Sequence, residues 1–231
     1  MEGYILIDKP IGWTSFDVVG YIRKNISIAT DTPRKKIKVG HGGTLDPFAS
    51  GLLIVFAGKS YTSRFNEFLK LDKTYSVSMV LGSHSTTGDP EGEIIKSLAQ
   101  LVVPSREVLV AKLEGFKGES QQVPPAYSAI KVDGVRAYKL ARENKSFQLT
   151  PRRIIINHIE LLDYDYPVVD FVVNVSSGTY IRALVEDIGK ALNTMAYTNN
   201  LRRIEVGSYS ISNAHTIDKI NEHTINQLLI K

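Results

Sequence analysis

The chain has 231 residues, 43% hydrophobic and 23% charged, a globular composition with room for one large domain or one plus a small appendage. The absence of cysteine excludes disulfides, thiolate-bound zinc and a thiol nucleophile, and no apolar run reaches the roughly eighteen residues that a membrane helix needs. The net charge is only +4, but the cations are clustered at Arg34, Lys35, Lys36 and Lys38, at Arg136, Lys139, Arg142 and Lys145, at Arg152-Arg153 and at Arg202-Arg203, which suits a polyanionic partner.

In chain order, residues 4–7 read as a short buried strand closed by Lys9-Pro10. Residues 1–9 lack a signal peptide's basic start and long apolar segment, so a cytoplasmic location is expected. Thr14 or Ser15 can cap a helix carrying Phe16, Val19, Ile22 and Ile26 on one face. Residues 36–39 are strand-like, 52–57 form an apolar run typical of a buried strand, and 60–71 look helical. From 73 to 82 the pattern alternates, with Tyr75, Val77, Met79 and Leu81 on one face. Residues 83–93 are loop-like, and Ser105 can cap a helix through Leu113.

Residues 121–150 are less regular, with a hairpin expected at 130–135 and a short basic helix at 138–145. Two core strands follow at 154–162 and 168–175. Thr179 then caps a helix with Ile181, Leu184, Val185, Ile188 and Leu192 on one stripe. A strand at 203–211 and a helix at 217–229 complete the pattern. Strands and helices mix without strict βαβ alternation, so the predicted class is α+β.

The most informative segment is Gly40-His41-Gly42-Gly43-Thr44-Leu45-Asp46-Pro47-Phe48-Ala49-Ser50-Gly51-Leu52-Leu53. Its glycines allow sharp turns or close approach to a ligand, and it carries one imidazole and one carboxylate. By composition alone it is ordinary turn chemistry. Ala57-Gly58-Lys59-Ser60 suggests a phosphate-binding loop, but that motif needs a glycine where Leu53 stands, so nucleotide binding is rejected. The five histidines, at 41, 84, 158, 215 and 223, lack the i, i+4 spacing of a helical metal site. Arg182, by spacing alone, reads as a surface partner of Glu186 one turn away, and Tyr75 as a core aromatic.

The Asp46 segment closely resembles the catalytic motif of the TruB family of tRNA pseudouridine synthases, of bacterial type, whose aspartate is the essential nucleophile. Ser177-Gly178-Thr179-Tyr180-Ile181-Arg182 is similar to the family's arginine motif, and Lys73-Thr74-Tyr75 to its tyrosine motif. Asp8-Lys9-Pro10 with Gly12-Trp13-Thr14-Ser15 resembles its N-terminal element. Gln122-Val123-Pro124-Pro125-Ala126-Tyr127-Ser128-Ala129 resembles the start of its RNA-gripping thumb, and Leu201-Arg202-Arg203 the motif that lines its base pocket.

The resemblance implies a pseudouridine synthase fold, with a mixed, mostly antiparallel central sheet flanked by helices. It implies a catalytic domain over 1–213 with a thumb-like insertion at about 121–151, and a short C-terminal helix over 214–231 in place of a full PUA-like domain. Asp46 is implied as the catalytic carboxylate, Arg182 as the cation that pairs with it, and Tyr75 as a base contact and proton acceptor. His41, Tyr180 and Leu201 are implied at the substrate base, and Lys9, Arg136, Arg142, Arg152, Arg153 and Arg202 at the RNA backbone. The expected partner is the T arm of tRNA, the expected substrate its uridine at position 55, and the expected state a monomer without metal, nucleotide or other cofactor. A non-catalytic tRNA-folding chaperone and a general single-strand RNA-binding module remain open as alternatives, although neither requires a carboxylate in its pocket.

Overall fold

A computed structural model describes residues 1–97, 103–143 and 145–231. The first elements are β1 (Gly3–Lys9), α1 (Ser15–Ala29), β2 (Val39–His41), β3 (Ser50–Ala57), α2 (Lys59–Thr62), α3 (Phe65–Leu69) and β4 (Lys73–Leu81). Next come β5 (Ser83–Ser85), β6 (Ile94–Lys96), α4 (Arg106–Glu114), β7 (Gly118–Gln122), β8 (Lys131–Val132), β9 (Val135–Arg136) and α5 (Ala137–Arg142). Then follow β10 (Arg152–Asp165), β11 (Val168–Val175), α6 (Ile181–Ala191), β12 (Ala196–Val206), β13 (Tyr209–Ser210), β14 (His215–Thr216) and α7 (Ile225–Leu228). None of the described helices is long and apolar enough to cross a membrane.

The chain divides into two compact units, Met1–Tyr75 with Leu201–Lys231, and Ser76–Asn200. In the first, the strand order is β14-β1-β3-β12, with β2 also on β3 and β13 on β12. β1 and β2 pair antiparallel with β3, whereas β12 pairs parallel with its start, Arg202 opposite Ser50 and Arg203 opposite Gly51. Gly51 has φ +108°, and a Cβ there would overlap the Arg203 backbone, so only glycine permits this approach. One face of the sheet packs Ile5, Ile7, Leu53 and Val55 against Val18, Val19, Ile22 and Ile26 of α1. The other gathers Leu6, Leu52, Ile54 and Phe56 with Phe68 and Val206. β3 is therefore apolar on both faces, which explains its unbroken apolar run.

The second unit has the strand order β4-β11-β10-β7, with β10 antiparallel to both neighbours. Alternation buries Val169, Phe171, Val173 and Val175 of β11. Helix α4 lies against β10 and α6. The pairing is mixed and mostly antiparallel with flanking helices, which bears out the α+β expectation.

Several local expectations are corrected. Helix α1 has Thr14 and Asp17 as a capping box, a device worth about 1 kcal/mol, but Phe16 points outward and is 72% exposed. The expected 60–71 helix is split into α2 and α3. Thr62 and Ser63 donate from their hydroxyls to the Gly58 and Ser60 carbonyls, competing with helix continuation. The strand expected at 36–39 is a 3-10 turn over Arg34–Lys36 followed by β2. The loop expected at 83–93 includes β5, and the strand expected from 203 starts at Ala196.

Thr179 does not cap α6; its hydroxyl donates to the Ser176 carbonyl, and Tyr180 takes the N-cap position. The helix expected at 217–229 is a 3-10 turn over Ile217–Lys219 and the short α7. Between them the Asn221 side chain accepts from the His223 and Thr224 amides and turns the chain. In the expected thumb, the β8–β9 hairpin and α5 are present, and residue 144 of the expected basic helix lies outside the described residues.

Candidate active site

Residues 42–49 connect β2 to β3 and carry Asp46. Their shape is set by side chains from three other elements. Ser15, the first residue of α1, accepts from the Leu45 amide at 2.9 Å and donates to the Leu45 carbonyl at 3.1 Å. Lys9, at the end of β1, is fully buried and donates from Nζ to the carbonyls of Trp13 (2.7 Å), Pro10 (2.9 Å) and Pro47 (3.5 Å). Arg203 of β12 is 2% exposed and donates to the carbonyls of Leu52 (2.7 Å), Gly43 (3.1 Å) and Thr44 (3.5 Å). The Gly12 amide also donates to the Pro47 carbonyl at 2.8 Å.

Each residue beside Asp46 is thus tied down, Leu45 by Ser15 and Pro47 by Lys9 and Gly12, while Asp46 itself is half-buried. A short segment that would otherwise be a mobile turn becomes a rigid mount for a carboxylate.

His41 ends β2 and is half-buried. Its Nδ1 accepts from the Gly43 amide at 3.4 Å, and its ring meets Phe16 edge-on, with centroids 5.4 Å apart at 81°. Burial, and then the positive charge of Arg203, lower its pKa, so the imidazole is neutral at physiological pH. Tyr75 is buried in β4, two residues after Lys73, whose Nζ donates to the Leu69 and Leu71 carbonyls at the end of α3. Burial, reinforced by Arg203, lowers the Lys73 pKa to about 8. Leu201 is buried in β12, and the next residue, Arg202, pairs with Asp8 at 2.7 Å.

In the second unit, Arg182 is 5% exposed on the first turn of α6. Its guanidinium donates to the carbonyls of Thr87 (2.8 Å) and Tyr127 (2.9 Å) and faces the Asp89 carboxylate at 3.3 Å. It is therefore far from the surface side chain that helical spacing suggests. Asp89 is itself buried and accepts from the Thr87 hydroxyl at 2.6 Å and the Glu91 amide at 3.1 Å. At the start of α6, Gln122 accepts from the Tyr180 amide at 2.8 Å and donates to the Tyr180 carbonyl at 3.1 Å, which fixes that residue's backbone.

The expected RNA-backbone cations behave differently from one another. Lys9 is corrected: its ammonium is enclosed and bonded to backbone carbonyls, so it holds the Asp46 loop instead of meeting phosphate. Arg136 donates to the Ala129 carbonyl at 3.0 Å, and Arg142 stacks over Tyr138 at 5.7 Å. Arg153 pairs with Glu119 on the surface, and Arg152 is exposed at the start of β10. The residues that motif reading left without a role are Arg203, Ser15, Asp89 and Gln122. Strand alternation could have found Arg203, because it shares the inward face with Leu201, just as Lys9 shares one with Ile5 and Ile7.

A family model described as "TruB family pseudouridylate synthase (N terminal domain)" matches residues 31–181, and one described as "tRNA pseudouridylate synthase B C-terminal domain" matches 182–228. A tRNA pseudouridine synthase B of Bacteroides fragilis is 44% identical over 211 residues, covering 91% of this chain and 89% of that protein. Its counterpart from Clostridium acetobutylicum is 42% identical over 230 residues, covering 100% of this chain and 76% of that protein. Among solved structures, a chain from a Cbf5-Nop10-Gar1 complex is similar with TM-score 0.71 and 30% identity; the match covers 94% of this chain and 53% of that one, so this chain spans about half its length. With residues 31–181 and 182–228 matched in order by the family's two domain models, and a relative 44% identical over 91% of its length, the chain belongs to the TruB family of pseudouridylate synthases.

Proposed function

We propose that the chain is a tRNA pseudouridine synthase that isomerises the T-loop uridine at position 55. The observation that carries this reading is the mount of Asp46. Two buried cations and a serine clamp hold the backbone on both sides of one half-buried carboxylate, in a chain of this family. An RNA-binding module or a folding chaperone needs basic and aromatic surface but not such a carboxylate, and fixing one near phosphates is electrostatically unfavourable.

The reaction breaks the N1–C1′ glycosidic bond and joins C5 to C1′. C5 loses its proton and N1 gains one, so atoms and electrons balance within the substrate and no redox partner is required. The uridine must leave its stack to reach the carboxylate, so the base is flipped. Asp46 then attacks or stabilises C1′, as carboxylates do in glycoside chemistry. His41, neutral at working pH, occupies space beside the loop without adding charge. Tyr75 contacts the base and accepts the C5 proton, while Tyr180 and Leu201 line the base. Arg182 enters as a cation whose fork is already set by two carbonyls and Asp89.

The test is to incubate the purified chain with an unmodified tRNA transcript and map pseudouridine by chemical modification. Conversion at the T-loop uridine is expected. Conversion elsewhere only, or none, sinks the reading.

A further inference from the structure

Phe16 is the largest mismatch between the amphipathic pattern of α1 and its actual burial. The other apolar residues of that pattern, Val19, Ile22 and Ile26, are buried, yet Phe16 is 72% exposed. A single exposed apolar side chain is ordinary, so its surroundings decide what it means. It follows Ser15, whose hydroxyl grips both backbone groups of Leu45, and Leu45 precedes Asp46. The Thr14–Asp17 capping box fixes the same helical turn. Phe16 therefore stands at a fixed place beside the aspartate loop, with its ring nearly perpendicular to that of His41.

A second exposed apolar side chain, Ile11 at 63%, precedes Gly12, whose amide is bonded to Pro47 on the other side of Asp46. On the approach to β2, Arg34, Lys35, Lys36 and Lys38 are all exposed. An exposed aromatic ring bordered by a neutral imidazole, in a chain whose segment between α1 and β2 carries exposed cations, matches the chemistry that binds unpaired RNA: stacking for a base and positive charge for the backbone.

We propose that Phe16 is a nucleobase-stacking residue, on whose open face an unpaired base of the substrate RNA loop lies beside His41. The inference rests on the functional reading above. Its occupant is an RNA base rather than a protein side chain because the patch borders the loop of Asp46, where the substrate uridine reacts, and the carboxylate of Asp17 in the same helical turn is engaged by Thr14. Sequence tolerance follows, since every base has a stacking face.

The experiment measures the affinity of the full chain for a T-arm stem-loop RNA and its turnover of that RNA at saturation, for wild type and for Phe16→Ala, Phe16→Leu and Phe16→Trp. Because Phe16 is exposed, all three variants should keep the wild-type melting temperature. Loss of one stacked base should weaken binding by about tenfold or more in Phe16→Ala. Phe16→Leu, which keeps apolar bulk but loses the aromatic face, should be weakened nearly as much, while Phe16→Trp should match wild type. Turnover at saturating RNA should change little in any of them.

Abasic substitution at one loop nucleotide should weaken wild type but not Phe16→Ala, which identifies the base. If Phe16→Ala or Phe16→Leu binds as wild type does, the stacking role is wrong and the patch serves some other partner. If wild type itself neither binds nor converts the RNA, the functional reading falls and this inference falls with it.

Discussion

Arg203 donates from Nη2 to the Gly43 carbonyl at 3.1 Å, and its Nε reaches the Leu52 carbonyl at 2.7 Å, so one guanidinium joins the entrance and exit of the Asp46 loop. The planar fork makes this possible, because its donors point in fixed and different directions. Arg203→Lys keeps the charge but offers a single ammonium that cannot reach both ends. The expected cost is about 3 kcal/mol, the value of one or two buried charge-assisted hydrogen bonds. Melting temperature should fall by roughly 10 °C, and turnover should fall beyond that as the carboxylate loses its position. A variant with wild-type melting and wild-type turnover would show that the brace is not needed.

Asp46→Asn tests the carboxylate itself. The amide preserves shape and the backbone clamps by Ser15 and Lys9, neither of which uses the Asp46 side chain. Isomerisation should disappear while tRNA affinity and melting temperature stay close to wild type. Turnover comparable to wild type would remove Asp46 from the chemistry.

These two residues also show what the sequence made legible. The Asp46 loop could be read directly, because its turn residues and the apolar strand after it are contiguous. Strand β4 was equally readable from its alternation. The support of the loop was not, since Ser15, Lys9 and Arg203 converge on it from positions far apart in the chain. The resemblance implies Lys9 at the RNA backbone, whereas its place on the inward face with Ile5 and Ile7 buries it. Phe16 departs in the opposite direction: helical spacing marks a stripe, but the first turn of a helix can extend beyond the surface that the stripe covers. The helix expected at 217–229 failed because Asn221 and Thr224 offer the backbone a local alternative.

The Arg182–Asp89 pair supports a third prediction. Both side chains are buried, and the guanidinium is also bonded to the Thr87 and Tyr127 carbonyls. Arg182→Lys retains charge but loses the two-pronged geometry, and a displacement on the order of 1 Å is enough to reduce turnover about 100-fold. Asp89→Asn leaves the buried guanidinium without its counter-charge and should destabilise the fold by about 3–5 kcal/mol. Chemical denaturation reads the stability that each variant loses, about that of Arg203→Lys for the Lys variant because it too gives up buried charge-assisted hydrogen bonds, and turnover of the folded Lys variant should fall beyond that loss. If Arg182 acted only as a surface partner of Glu186, Arg182→Lys would retain full turnover.

His41 sets a pH dependence whose sign follows from its surroundings. Burial, and secondarily Arg203, hold its pKa below the ordinary 6.5. The unfolded chain therefore takes up a proton as pH falls through 6.5 while the folded chain does not, and stability declines from that point until the lower folded value is passed. Protonation would also turn Nδ1 from an acceptor into a donor facing the Gly43 amide, breaking the 3.4 Å contact at the start of the Asp46 loop. Wild type should thus lose melting temperature relative to His41→Gln as pH is lowered from 7 towards 5, while the two proteins run parallel above pH 7. Turnover of wild type should fall over the same acidic range, because the disturbed contact lies beside the carboxylate mount. Melting curves of the two proteins at matched ionic strength, together with the wild-type pH–rate profile, check both statements. A wild-type melting temperature that rises relative to His41→Gln on acidification would mean that the folded protein favours the imidazolium, contrary to the effect of burial beside Arg203.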